Sequence, residues 1–161
     1  MSHETTLEAS DREIRLAREF DAPRHLVWRA IVEPQHMAKW WGPRGFTTTV
    51  DEIDLKPGGL WKYTMHGPNN DHYPNQSVFL EIVPNERIAY TQAGHREGGP
   101  GTSFVATWTF ESIGSQRTRV TMQALFPTAA DRDFCIQEFG ALEGGKQTLE
   151  CLGEHLLTMT A

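Results

Sequence analysis

The sequence predicts an α+β domain in which seven antiparallel strands curl around one long C-terminal helix, with two short helices after the first strand. Three observations carry that prediction. From about Thr128 to Met159 the apolar residues Leu142, Leu149, Leu152, Leu156 and Met159 recur at steps of three, four and seven, which puts them on one stripe of a helix. From Phe46 to Phe126 the pattern alternates every second residue, in segments separated by Gly, Pro and Asn, as in an antiparallel meander. A sheet with one apolar wall and a single long helix left to cover it has to wrap that helix.

Taken in order, Glu13 to Phe20 sets Ile14, Leu16, Arg18 and Phe20 against Glu13, Arg15, Ala17 and Glu19, a strand whose mainly apolar face has Arg18 as its exception. Asp21 is placed to cap a helix with Pro23 in its first turn and Leu26, Val27, Ala30 and Ile31 on its core side. Pro34 to Trp41 reads as a second short helix, closed by Trp40-Trp41-Gly42-Pro43. Strands are then expected at Phe46 to Leu55, Leu60 to His66, Ser77 to Val83, Ile88 to Ala93, Phe104 to Glu111 and Arg119 to Phe126. Their inward faces are read as Trp61, Tyr63 and Met65; Val78, Leu80 and Ile82; Ile88 and Tyr90; Phe104, Ala106, Trp108 and Phe110; and Val120, Met122, Ala124 and Phe126. The Gly94 to Thr102 stretch is a mobile loop by composition. Pro127 and Thr128 open the last helix, with Asp131 in its first turn. Gly144 and Gly145 fall in the middle of that helix and together cost about 2 kcal/mol of helix propensity relative to alanine, so a close contact or a gap is expected there.

At 161 residues the chain suits one domain, residues 11–161, after a flexible N-terminus of residues 1–10. A net charge of -6 without any run of Lys or Arg offers no footprint for nucleic acid or an anionic membrane surface. No apolar run approaches the ~20 residues that span a bilayer, and the polar start MSHETTLEAS lacks the features of a signal peptide, so a cytoplasmic location is expected. Cys135 and Cys151, placed on one helix, are too far apart for a disulfide and read as free thiols.

The order strand, two short helices, six strands, long helix is the helix-grip arrangement, and several runs of residues match it in detail. These are EFDAPRHLVWRAI, KWWGP at Lys39 to Pro43, DLKPGGLWKYTMHGP at Asp54 to Pro68, EIVPNERIAYT at Glu81 to Thr91 and GGKQTLECLGEHL at Gly144 to Leu156. Through them the chain resembles the SRPBCC or START-like superfamily, whose fold is also that of the birch pollen allergen, and within it the branch related to the activator of heat shock protein 90 ATPase. The resemblance covers nearly the whole domain and implies a cavity between curved sheet and C-terminal helix that takes small apolar or aromatic molecules.

The residues agree with that implication. Trp41, Trp61, Tyr63, Met65, Tyr90, Trp108, Phe139 and Leu142 supply large apolar surfaces with a few polar tips, and Gly145 removes a side chain where the helix faces the sheet; these are the expected ligand-binding residues. Catalytic signals are weak: Glu81, His95, Glu138 and Glu143 would be acids or bases only if turned inward, and no nucleophile elbow, phosphate loop or dinucleotide fingerprint occurs. Among seven histidines, His66 and His72 flank one hairpin with Asp71 between them and can meet across it, yet no cysteine or further ligand stands nearby. No metal and no cofactor is therefore expected. The leading expectation is a binder of a small hydrophobic or aromatic ligand; a cyclase or hydrolase using the same pocket and a co-chaperone that activates a heat shock protein 90 ATPase are the alternatives. A homodimer is compatible with the sequence.

Overall fold

A computed structural model describes residues 6–8, 11–95 and 101–159. The elements are β1 (Thr6–Glu8), β2 (Glu13–Phe20), α1 (Arg24–Val32), α2 (Pro34–Trp40), β3 (Thr47–Ile53), β4 (Leu60–His66), β5 (His72–Val83), β6 (Arg87–His95), β7 (Gly101–Gly114), β8 (Arg117–Leu125), α3 (Ala129–Phe139) and α4 (Ala141–Leu156). One antiparallel sheet runs β1-β2-β8-β7-β6-β5-β4-β3. The seven expected strands are all present. β1 adds a short eighth at the edge, with Leu7 opposite Leu16, so three of the ten residues expected to be loose pair in the sheet. The rest of that segment lies outside the described residues. So do residues 96–100 of the expected mobile loop, into which β6 and β7 extend from either side.

This strand order explains the two short helices. β2 stands near one edge and β3 at the other, so the chain between them has to cross the sheet: α1 packs on β7, β8 and α4, and α2 on β3 and α4. Pro34 begins α2, where its missing N–H would have no helical partner anyway. The Trp40 indole N–H donates to the Ala30 carbonyl at 2.8 Å and folds α2 back onto α1. Asp21 does not cap α1 as expected. The helix starts at Arg24, with Pro23 at the cap position and no side-chain cap bond, and Asp21 forms an ion pair with Arg117 at 3.0 Å instead.

Two other expectations are corrected. The inward face of β5 is not Val78, Leu80 and Ile82: Ser77 and Phe79 are buried, Leu80 is half exposed, and a bulge between Phe79 and Glu81 shifts the register so that only Ile82, opposite Ile88, keeps its expected side. One inserted residue reverses every face beyond it. The C-terminal segment is two helices rather than one. The Thr128 hydroxyl caps α3 by accepting from the Asp131 N–H at 3.1 Å, as expected, but Gly140 takes the left-handed conformation (φ 60°) and ends the helix. A glycine pays no steric penalty there, and the break lets α4 turn onto the sheet while α3 packs beside it. The cysteines thus stand on different helices, and both are free thiols.

The leucine stripe of α4 is the centre of the core. Leu149 and Leu152 are fully buried and Leu156 nearly so, in the same core cluster as Trp108 and Val120. Leu149→Ala should lower the unfolding free energy in a denaturant titration by about 2–5 kcal/mol, the cost of a large buried side chain whose cavity cannot collapse.

At the α2–α4 joint, His36 Nδ1 lies 3.0 Å from His155 Nε2, and Glu33 is 3.5 Å from the other His36 nitrogen. Burial, then the neighbouring His36 and Lys39, hold the His155 pKa below its ordinary value. The unfolded chain therefore takes up the proton more readily than the folded one. This contribution to stability is complete above the unfolded value of about 6.5 and is lost as pH falls through the lower folded pKa. Denaturant midpoints should drop across that window, and His36→Gln should make the drop shallower; an unchanged slope would mean that the pair is not responsible.

Candidate functional site

Between the concave face of the sheet and α4 lies a cavity of about 220 Å³. It exceeds the ~150 Å³ that houses benzene in an apolar core and falls short of the ~300 Å³ at which pockets for drug-sized ligands begin. Alternate residues of the strands form its floor: Tyr63 and Met65 from β4, Tyr90 and Gln92 from β6, Phe104, Ala106 and Trp108 from β7, Met122 and Ala124 from β8. Its roof is a second stripe of α4, Ala141, Gly144, Gly145 and Thr148, spaced i, i+3, i+4, i+7. These residues are small, which is why space remains beneath a helix that the leucines hold against the sheet. Trp41, Gly42 and Pro43, just after α2, close one side.

The aromatic wall is rigid. Trp41 stands 5.2 Å from Trp61, 5.8 Å from Tyr63 and 5.5 Å from Trp108 between ring centroids, and the Thr48 hydroxyl donates to its carbonyl at 2.8 Å. The Trp108 indole N–H donates to the Tyr90 hydroxyl at 3.0 Å. The Tyr63 hydroxyl, fully buried at the cavity wall, has no aligned hydrogen bond. Burial pushes its pKa well up, against a smaller downward pull from loose hydrogen-bonding contacts with the Trp41 and Gln92 side chains. The Gln92 amide donates to Asn75 at 3.0 Å, and Asn75 in turn to the Tyr73 carbonyl at 2.8 Å, which leaves the Gln92 oxygen as an acceptor. Burial also raises Tyr90, and takes the Cys135 thiol up to about 11. Among the described residues the lining holds no carboxylate and no imidazole. At neutral pH the site can donate and accept hydrogen bonds, but its own ionisable groups are protonated and cannot act as bases.

Of the expected binding residues, Trp41, Tyr63, Met65, Tyr90, Trp108 and Gly145 line the cavity. Trp61 does not: it is buried behind the wall, stacked on Phe79 at 5.5 Å, with Trp41 laid across it. Leu142 does not either, because the cavity meets α4 along the small-residue stripe, and Leu142, one position away, packs against the core. The Phe139 side chain lies outside the described residues, as do those of His95 and Glu138. Glu81 points to solvent and pairs with Arg87 at 2.7 Å, and Glu143 is exposed. Gly145 differs from the expectation in detail. A Cβ there would come within 2.4 Å of Leu16 and 3.3 Å of Met122, so it is the close contact, whereas one on Gly144 would meet only Pro43, at 3.9 Å, and borders the gap. Gln92 was not foreseen, although it continues the inward face of Ile88 and Tyr90 and is the polar residue on an apolar stripe.

A larger groove of about 710 Å³ runs along the surface between β2 and α4. It is open to solvent, and Arg44 is clamped there to Glu150 and Glu154, which lowers the Glu154 pKa. The cavity, lined almost wholly by apolar and aromatic side chains and with the buried Tyr63 hydroxyl at its wall, is the stronger candidate. Among the described residues no helix is long and apolar enough to cross a membrane.

Comparison with solved structures supports the architecture. An X-ray structure of a protein from Nitrosomonas europaea is 27% identical, with a TM-score of 0.81 and coverage of 94% of this chain and 97% of that one. One from Chromobacterium violaceum is 28% identical, with a TM-score of 0.76 and coverage of 91% and 98%. A solution structure from Arthrobacter aurescens reaches a TM-score of 0.87 at 22% identity, covering 96% and 92%, and shares the fold. No curated protein matches the chain. The family model described as Activator of Hsp90 ATPase homolog 1-like protein matches residues 21–156, from the end of β2 through α4, and the chain belongs to that family.

Proposed function

We propose that this protein binds a small aromatic molecule of one or two rings bearing one polar substituent, held between the sheet and α4. The observation that carries the reading is the Tyr63 hydroxyl, buried at the wall of the 220 Å³ cavity with no well-aligned hydrogen bond, only the Trp41 and Gln92 side chains close by. An unpaired buried hydroxyl costs about 1–3 kcal/mol, which a ligand supplying a donor or acceptor would recover. The surrounding tryptophan and tyrosine rings favour a planar partner, and the volume favours one larger than benzene. An activator of a chaperone ATPase would work through an outer surface, whereas the unpaired group here faces inward; that favours ligand binding over a co-chaperone role. The absence of a carboxylate or imidazole from the described lining likewise favours binding over acid–base catalysis.

The probes are naphthalene and 2-naphthol, followed by fluorescence and calorimetry. Wild type should bind both and prefer the naphthol. Tyr63→Phe should remove the preference, a change of about tenfold, while leaving the free protein as stable as before or slightly more so, since it deletes an unsatisfied group. Gly144→Leu should fill the cavity and abolish both affinities in a folded protein, a better position for the test than Gly145, where Leu16 is already in the way. Unchanged affinity in Gly144→Leu, or no saturable binding by wild type, would refute the reading.

A further inference from the structure

On the opposite face of the sheet, the hairpin between β4 and β5 brings two imidazoles together. His66 and His72 are register partners, with Nδ1 atoms 2.9 Å apart and rings at 83°. Both are half-buried, so the pair is within reach of solvent. Thr49 Oγ1, from the outer face of β3, lies 2.9 Å from His66 Nε2. Where that Nε2–H donates to the threonine oxygen, the His66 Nδ1 carries a lone pair directed at His72. Moving the His72 proton to its own Nε2 frees both Nδ1 lone pairs, which face each other across the contact and meet on a common ion after a modest rotation of the rings. An outer-sphere partner that fixes the tautomer and ring plane of a ligating histidine is a regular feature of metal sites.

We propose that His66 and His72 chelate a divalent copper ion through their Nδ1 atoms, with water completing the coordination. The metal follows from ligand chemistry. The two nitrogens stand 2.9 Å apart, close enough for both to reach one ion at ~2.0–2.1 Å as cis ligands. Imidazole suits copper, and among first-row divalent ions copper binds a given nitrogen site most tightly. Asp51, which accepts from the Thr64 hydroxyl at 3.2 Å on the same face, adds a nearby negative charge. Among the described residues no group of three His, Cys, Asp or Glu side chains surrounds a common point, so the site rests on two ligands and on the stiffness of an unbulged hairpin. Among the described residues the other close histidine pair, His36 and His155, sits between helices and serves as the internal comparison.

The test uses the full chain without a purification tag, stripped with a chelator and carrying His3→Ala in every sample so that His3 does not compete. Calorimetric titration with Cu(II) should give one saturable equivalent, with the paramagnetic resonance of a tetragonal centre and hyperfine structure from imidazole nitrogen. His66→Gln and His72→Gln should each weaken binding at least about tenfold, and Thr49→Val by about tenfold, the lower end of what outer-sphere partners contribute. Zn(II) should bind more weakly than Cu(II). Thermal midpoints of these variants without metal should match the parent, which separates lost ligation from lost folding. Unchanged copper affinity in both hairpin variants, loss of binding on His36→Gln instead, a near-tetrahedral spectrum, or no saturable binding would each overturn the assignment.

Discussion

Leu149, Leu152 and Leu156, sealed against the sheet, set the height of α4 above it, and the rest of the site depends on that contact. A helix carries several stripes at once. The leucine stripe fixes its distance from the strands, and the adjoining stripe of Ala141, Gly144, Gly145 and Thr148 then determines how much of the intervening space is filled. With large residues on both, the interior would close; with small residues on both, the helix would have too little apolar area to hold it. Gly145 shows the two demands meeting, since its missing side chain is what lets Leu16 and Met122 approach the helix. The helix-propensity cost of two glycines, about 2 kcal/mol, is offset by that approach and by the neighbouring leucines.

The floor beneath is stiff for a different reason. Trp41, Trp61, Tyr63, Tyr90 and Trp108 meet edge to face or tilted, at centroid distances of 5.0 to 5.8 Å, and each ring is braced by at least one other. Edge-to-face contacts are directional, so a ring cannot turn without losing several at once. The Trp108–Tyr90 hydrogen bond adds a polar constraint inside the same cluster. Against this background the Tyr63 hydroxyl cannot simply rotate into a better position, and the buried Trp61 Nε1 and Ser77 Oγ of the adjoining register pair are likewise without an aligned partner.

Much of this was legible in the sequence, and the exceptions have physical causes. The strand alternation located all seven expected strands, and the leucine periodicity located the core face of α4, because burial on one side imposes a period that no local effect overrides. The β5 face was misread because a bulge changes parity without leaving a compositional mark, and Leu80 looks as apolar as Phe79. The helix break has a signal in the sequence: residues 129–139 lack the stripe that begins only after Gly140, and a glycine between a patternless and a patterned segment is where a helix ends. For Trp61 and Leu142, inward-facing and cavity-facing are indistinguishable at the level of period; only packing decides which inward residue another one covers. Gln92 could have been found, as a polar residue on an apolar stripe.

β4 joins these threads. Its pleat sends Tyr63 and Met65 to the cavity and Thr64 and His66 to the outer face, so one seven-residue strand supplies both the unpaired hydroxyl and half of the histidine pair. The ladder from Leu60 to His66 against β5 is uninterrupted, whereas the outer neighbour β3 is bulged between Val50 and Glu52, and β5 is bulged farther along against β6. A slip of one residue in β4 would put His66 inside and remove Tyr63 from the wall, so both faces require the same register. The irregularities of this part of the sheet have been displaced onto the strands on either side, leaving straight the one ladder whose alignment both faces need.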